Sequence, residues 1–340
     1  MKVKKFVAIT LILCLMISIT GCKNPISMVK GLFDNDEDQA ASAIIDSSAN
    51  IQNDEQLRDT VLYYKDDKGF LVPVMRKIPW TEGIARATLG ALVDNPANRE
   101  DVKGIGLLPV IPTNTQIYGM NIENGLCKVD FTSDFLNYTS KTEEEALVKA
   151  VVYTLTEFVT IDSVQFMIEG KIQKNLTFGT SVGKAITRDN INYVGGDSSK
   201  GKVVVYFEGT TNGLESYFVP VTMTLDQVAS GNINLLDALD LLVQGPPEGT
   251  GLYSEIPKGT KIVSVDINNG VAYINLTEEV LEIVDNQDMT DNVAKSFGLT
   301  VKEQYADIAG VKLMVNGKEL KLGEQKTKDP VAVPTFANQY

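Results

Sequence analysis

Three Ser-x-x-Lys strings, Ser27 to Lys30, Ser181 to Lys184 and Ser199 to Lys202, have the spacing at which a lysine amine activates a serine hydroxyl for acyl transfer. No Ser-Asp-Asn or Lys-Thr-Gly companion accompanies them, and such strings arise by chance in a chain with 31 Lys and Arg residues. Asp130 and Asp134 are a carboxylate pair of the type used in glycoside hydrolysis, but a solvated junction between strand and helix explains them as well. Gly179-Thr-Ser-Val-Gly183-Lys184 falls one spacer residue short of a phosphate-cradling loop, and Ala185 stands where Ser or Thr would hold magnesium. Gly104-Ile-Gly106 lacks the third glycine of a dinucleotide loop. The acidic run Asp34 to Asp38 has Gln39 and Ile45 where a calcium loop needs Gly and Glu. With no histidine at all, His-dependent triads and His-ligated zinc are excluded. The expectation is a protein without catalytic residues, metal or cofactor.

The remaining reactive residue is a cysteine near the N-terminus. Lys2, Lys4 and Lys5 precede an apolar run from Phe6 to Ile19, of signal-peptide rather than membrane-span length. Ile19-Thr20-Gly21-Cys22 follows, and small residues before a cysteine at this position resemble the lipobox of bacterial lipoproteins. The resemblance implies a signal peptide over 1–21, cleavage before Cys22 and a diacylglyceryl group on its thiol. Two acyl chains at about 0.8 kcal/mol per buried methylene form a stable anchor. Residues 22–58 lack periodicity and read as a flexible acidic tether. Cys127, left without a partner once Cys14 and Cys22 are accounted for, alternates with Val129 and Phe131 on a strand and reads as a small core residue. A net charge of −13 repels nucleic acid and anionic lipid head groups.

These residues are carried on a duplicated framework. Residues 89–171 return in order at 239–318: Ile111-Pro112 corresponds to Ile256-Pro257, an offset of 145 (256 − 111), and Val164 to Lys171 corresponds to Val311 to Lys318, an offset of 147 (311 − 164). That period is a domain rather than a solenoid repeat. Each copy reads as strand, strand, helix, hairpin, helix, strand. Asn124-Gly125 and Asn269-Gly270 supply the positive φ angles of a two-residue hairpin turn. Leu89, Leu92 and Val93, matched by Leu239, Leu242 and Val243, predict a first helix stopped at Asn95-Pro96 and Gly245-Pro246, with a surface loop over 97–110. Thr142 with Glu145 predicts the capping box of a second helix whose stripe is Leu147, Val151, Leu155 and Phe158. In the second copy that helix begins near Thr290 and contains Gly298, which costs about 1 kcal/mol relative to Ala unless it allows close packing on the sheet. Trp80, Tyr63-Tyr64 and Tyr217-Phe218 read as core aromatics rather than partner anchors. Thr187 to Tyr193 and Pro334 to Tyr340 read as segments closing each copy against its own domain. The expected organisation is a domain over 59–194, a linker over 195–201 and a domain with a C-terminal tail over 202–340. The fold class is α+β, two tandem copies of a small domain with a mainly antiparallel sheet and two helices on one face.

The run Asn124-Gly-Leu-Cys-Lys-Val-Asp-Phe-Thr-Ser-Asp-Phe135, then Glu143-Glu-Glu-Ala146, Thr154-Leu-Thr-Glu-Phe158 and Val164 to Lys171, resembles the GerM domain of bacterial sporulation and germination lipoproteins. The second copy departs most where Glu157-Phe158 gives way to Gln304-Tyr305. The resemblance implies a relation to the ring-building-motif folds of secretion and sporulation assemblies, and no catalytic residues. It also implies a palmitate-type lipid anchor on the outer face of the cytoplasmic membrane. In a sporulating cell that includes the space between the mother-cell and forespore membranes. Two functions follow as expectations. The first is a membrane-tethered scaffold that binds other sporulation envelope proteins or a second copy of itself; the second is a lipoprotein that binds cell wall or a small ligand without catalysis.

Overall fold

Among the described residues, four two-residue turns punctuate the chain, each an Asn-Gly or Glu-Gly pair with both residues in the left-handed region. Asn124 and Gly125 have φ of 51° and 77°, and Asn269 and Gly270 have 50° and 74°. Glu169-Gly170 and Asn316-Gly317 repeat the geometry at the next turn of each copy. Such turns match the twist of the flanking strands and fix their register. The computed structural model describes residues 57–195, 201–211, 213–225, 234–320 and 330–340. The signal, Cys22, most of the tether and most of the linker lie outside the described residues.

Repeat 1 opens with the antiparallel hairpin β1 (Leu57–Lys65) and β2 (Leu71–Pro79), followed by α1 (Ile84–Ala91) and α2 (Pro96–Val102). Then come β3 (Ile117–Glu123), β4 (Leu126–Phe131), α3 (Lys141–Leu155), β5 (Ser163–Ile168) and the two-residue β6 (Lys171–Ile172). Repeat 2 runs through β7 (Lys202–Thr210), β8 (Ser216–Thr224), α4 (Leu235–Gln244), β9 (Ile262–Asn268), β10 (Val271–Leu276), α5 (Gln287–Lys302), β11 (Gly310–Val315) and β12 (Lys318–Glu319). A short β13 (Val331–Ala332) ends it. Sheet order is β3-β4-β5-β6 in one repeat and β12-β11-β10-β9 in the other, with β13 also on β11. Among the described residues these strands pair antiparallel except β4 with β5 and β10 with β11, which are the strands joined through α3 and α5. A helix between two strands is what allows them to run parallel. The result is the expected α+β class.

Alternation sets the core. Cys127, Val129 and Phe131 on β4, and Ala272, Ile274 and Leu276 on β10, are fully buried under α3 and α5. Leu147, Val151 and Leu155 of α3 complete that layer, while Phe158 lies beyond the helix end and is partly buried. The Phe131 and Phe135 rings stack at 4.1 Å. Gly298 on α5 faces the sheet: a Cβ there would run into Val333 Cγ2 and come within 3.1 Å of Val311 Cγ2. Close approach therefore outweighs helix propensity at this position. Gly298→Ala is expected to lower stability by about 1–2 kcal/mol by overpacking, despite the roughly 1 kcal/mol that alanine returns in a helix. Urea unfolding of the two proteins measures it, and an unchanged or raised midpoint would refute the packing argument.

Two local readings need correction. Ser140, not Thr142, caps α3: its hydroxyl accepts from Glu143 N–H at 3.2 Å, and the Glu143 carboxylate accepts from Thr139 N–H at 2.8 Å. Thr142 is already inside the first turn, because Ser140 has the extended backbone of a cap. The segment 97–110 is not a plain loop either. Pro96 is the first residue of α2, with Asn95 Oδ1 accepting from Asn98 N–H at 3.0 Å. A proline stops a helix only from within, and at this position it starts one.

Candidate functional site

The residues singled out for chemistry do not converge. Ser27, Lys30 and Ser199 lie outside the described residues, and Ser181 and Lys184 are both exposed. Asp130 accepts from Gly170 N–H at 2.9 Å, as Asn275 accepts from Gly317 N–H at 3.1 Å in repeat 2, so this position buttresses a turn. Asp134 accepts from Asn137 Nδ2 at 3.2 Å within a 3₁₀ turn. Burial pushes the Cys127 thiol up to about 12, which removes its thiolate and its reactivity near neutrality. Trp80 departs from its core reading: it is 52% exposed, with the Arg58 guanidinium 4.7 Å over its ring. Tyr63, Tyr64 and Tyr217 are buried as expected. Among the described residues, no group of three His, Cys, Asp or Glu side chains is arranged to hold a metal ion.

Polar side chains converge instead on the seam where β2 meets β8. Asn192 Oδ1 accepts from Leu71 N–H at 2.8 Å, while its Nδ2 donates to Leu71 O at 2.7 Å and Pro220 O at 2.8 Å. Asn338 mirrors it: Oδ1 accepts from Phe218 N–H at 2.7 Å, and Nδ2 donates to Pro73 O and Phe218 O, both at 2.8 Å. Each asparagine therefore holds both hairpins. The segments that carry them begin on their own sheets, where Ile186 pairs with Val164 and Val331 with Val311. They then cross over: Val194 pairs with Met223 of repeat 2, and Gln339 with Met75 of repeat 1. The closing segments are thus exchanged between repeats, which corrects the expectation that each stays on its own domain.

Beside these asparagines lies a cleft of about 450 Å³ lined by both repeats. Tyr63 donates its hydroxyl to Glu157 at 3.0 Å, and its amide to Thr154 Oγ1 at 3.1 Å. Tyr206 does the same, to Glu303 at 2.9 Å and to Thr300 Oγ1 at 3.1 Å. Glu303 is therefore the counterpart of Glu157, one residue before the Gln304 that linear matching suggests. Arg188 belongs to one half of the cleft. Its Nη2 bonds Glu157, its Nε donates to Thr156 at 2.8 Å, and its guanidinium lies 5.0 Å over the Tyr153 ring. Burial, with Glu157 adding to it, raises the Tyr63 phenol well above its ordinary value. Burial and then Glu303 do the same to Tyr206. Both phenols stay protonated and act as donors.

Such a chain is a paired-repeat α+β protein whose converging polar residues join two domains and line the cleft between them. It belongs to the Germane family of sporulation and spore germination proteins, whose profile matches residues 61–174 and 204–321. It is 29% identical to the spore germination protein GerM of Bacillus subtilis (strain 168) over 288 residues, covering 82% of this chain and 77% of that protein. The solved tandem GerMN domains of B. subtilis GerM superpose with a TM-score of 0.69 at 28% identity, covering 83% of this chain and 99% of that one.

Proposed function

We propose that this protein is a lipid-anchored, extracytoplasmic scaffold that binds envelope proteins during spore formation and germination. The observation that carries the reading is a pair of outer strands fixed in one body. Among the described residues, β3 and β9 each have a strand on one side only. They expose apolar residues at matching positions: Tyr118 and Val263 at 56% and 59%, Ile122 and Ile267 at 42% and 36%. An edge strand with apolar side chains is a template for an added strand or a partner face. Two such edges on one body raise the effective concentration of the second contact once the first is made. Diacylation of Cys22 would hold that body on the outer face of the cytoplasmic membrane; the tether expected over 22–58 ends by residue 56, because Leu57 and Arg58 already belong to β1.

The test compares heat-resistant spore counts from a deletion strain restored with the wild-type gene, a Cys22→Ser gene, or a Tyr118→Lys, Val263→Lys gene. The wild-type gene restores the count, and both variants fall well short while the protein accumulates. Full restoration by the double-edge variant would remove the edge strands from the function; a deletion without effect on spores would remove the sporulation role. Immunoprecipitation of the full chain from crosslinked sporulating cells is expected to recover specific envelope proteins with the wild type and fewer with the edge variant. Binding of cell wall or a small ligand is the second reading, favoured by the cleft at the seam.

A further inference from the structure

The two repeats provide an internal comparison of the seam cleft. In repeat 1 the Tyr63–Glu157 pair is closed by a cation, Arg188. The closing segments align on Asn192 and Asn338, an offset of 146 (338 − 192), which places Pro334 where repeat 1 has Arg188 (188 + 146). The Tyr206–Glu303 pair thus lacks the corresponding guanidinium. Lys302, next to it in sequence and lining the cleft, acts on Glu303 only through space, because its Nζ is hydrogen-bonded to the carbonyls of Pro334 and Thr335 at 3.3 and 3.2 Å. Among the described residues no Lys or Arg forms an ion pair with Glu303.

We propose that the cleft is a binding site for a small ligand carrying a primary ammonium group, received by the Glu303 carboxylate and the face of the Tyr206 ring where repeat 1 carries its own guanidinium. Glu303 stands at the open side of the cleft, where a ligand can reach it, and its carboxyl is raised by desolvation and by Glu157 against the Tyr206 hydroxyl, Arg188 and Lys302, so an added cation is favoured. The volume of about 450 Å³ is of small-ligand size. Tyr63, Tyr206 and Phe336 line the cleft with aromatic rings, whose faces favour the carbon chain and the charge of an alkylammonium. An anionic ligand is disfavoured, because the Arg188 guanidinium is already engaged by Glu157, Thr156 and the Tyr153 carbonyl. The net charge of −13 attracts cations at long range. This site is independent of the edge strands invoked for protein partners.

The test is calorimetric titration of the purified full chain with 1,4-diaminobutane, with butyrate and n-butanol as size-matched anionic and neutral probes. Saturable binding is expected for the diamine alone, weakened roughly tenfold or more by Glu303→Gln, the loss expected from one charge-assisted contact. Pro334→Arg supplies the missing guanidinium and is expected to weaken diamine binding as well. Thermal melting of both variants checks that the fold is intact. No saturable heat from the diamine below roughly 10 mM, equal binding of butyrate, or undiminished binding by a folded Glu303→Gln protein overturns the proposal.

Discussion

Asn192→Gly and Asn338→Ala are each expected to lower the free energy of unfolding by about 2–4 kcal/mol, a large effect for residues in irregular tail segments. Each amide satisfies three backbone groups at the seam: the N–H and C=O of Leu71 and the C=O of Pro220 for Asn192, and the N–H and C=O of Phe218 and the C=O of Pro73 for Asn338. Truncation leaves those groups unpaired between two packed hairpins, and each unpaired buried group costs about 1–3 kcal/mol, reduced where water enters. Glycine is the cleaner test at Asn192, whose φ of 48° would strain an alanine and mix two effects. Asn338→Asp is expected to be worse than Asn338→Ala, because a carboxylate oxygen would face the Pro73 and Phe218 carbonyls that the amide nitrogen now serves. The double variant removes both clasps that bridge the repeats. Denaturant unfolding followed by circular dichroism is the measurement. Losses under about 0.5 kcal/mol in both single variants would mean that the seam is held by apolar contacts alone.

These asparagines show where sequence reading stops. Gly125, Gly270, Gly170 and Gly317 announce themselves, because a two-residue turn admits few residue types and each sits between alternating strands. The buried face of β4 and β10 is legible for the same reason, since a period of two cannot be satisfied by a helix. An asparagine in a polar tail carries no such mark. It forks equally well to solvent, to its own turn or to a foreign strand, and only the folded chain selects among them. Exchange of the closing segments is invisible for a related reason: Ile186 and Val331 begin on their own sheets, and nothing in the following residues encodes the crossing. Trp80 departs from the core expectation because, although a large aromatic at a strand end is usually buried, here Arg58 covers one face of it in the open. The Tyr206–Glu303 pair lies one residue from where linear matching places it. Linear matching of Glu157 to Gln304 ignores an adjustment of one position within the second repeat, and the hydrogen bonds from Tyr63 and Tyr206 reveal the true equivalence.

A second large effect is expected from pH. Glu208 on β7 is 2% exposed, and its carboxyl is pushed up to about 8, first by burial and then by the neighbouring Glu255. Lys295 and the Tyr253 hydroxyl pull it down by less, and Asn292 Nδ2 reaches its Oε2 at a long 3.4 Å. Glu255 Oε2 is itself buried without a hydrogen-bond partner, so the pair of carboxylates is poorly compensated. Repeat 1 avoids the conflict by placing Lys65 at the equivalent strand position, where it pairs with Leu108 as Glu208 pairs with Tyr253. Because the folded value lies above the ordinary 4.5, the native state binds more protons than the unfolded state between those limits. Stability from this group is therefore complete below about pH 4.5 and is lost progressively as pH rises through about 8. Glu208→Gln keeps the shape and puts an amide N–H where the neutral acid has its O–H, without the charge. It is expected to change little at pH 5 and to gain on the order of 3 kcal/mol over the wild type at pH 9. Thermal unfolding of both proteins across that range decides it. Parallel pH profiles would show that Glu208 is ionised in the folded state at every pH tested, and that repeat 2 tolerates at this strand position a buried carboxylate which repeat 1 replaces with Lys65.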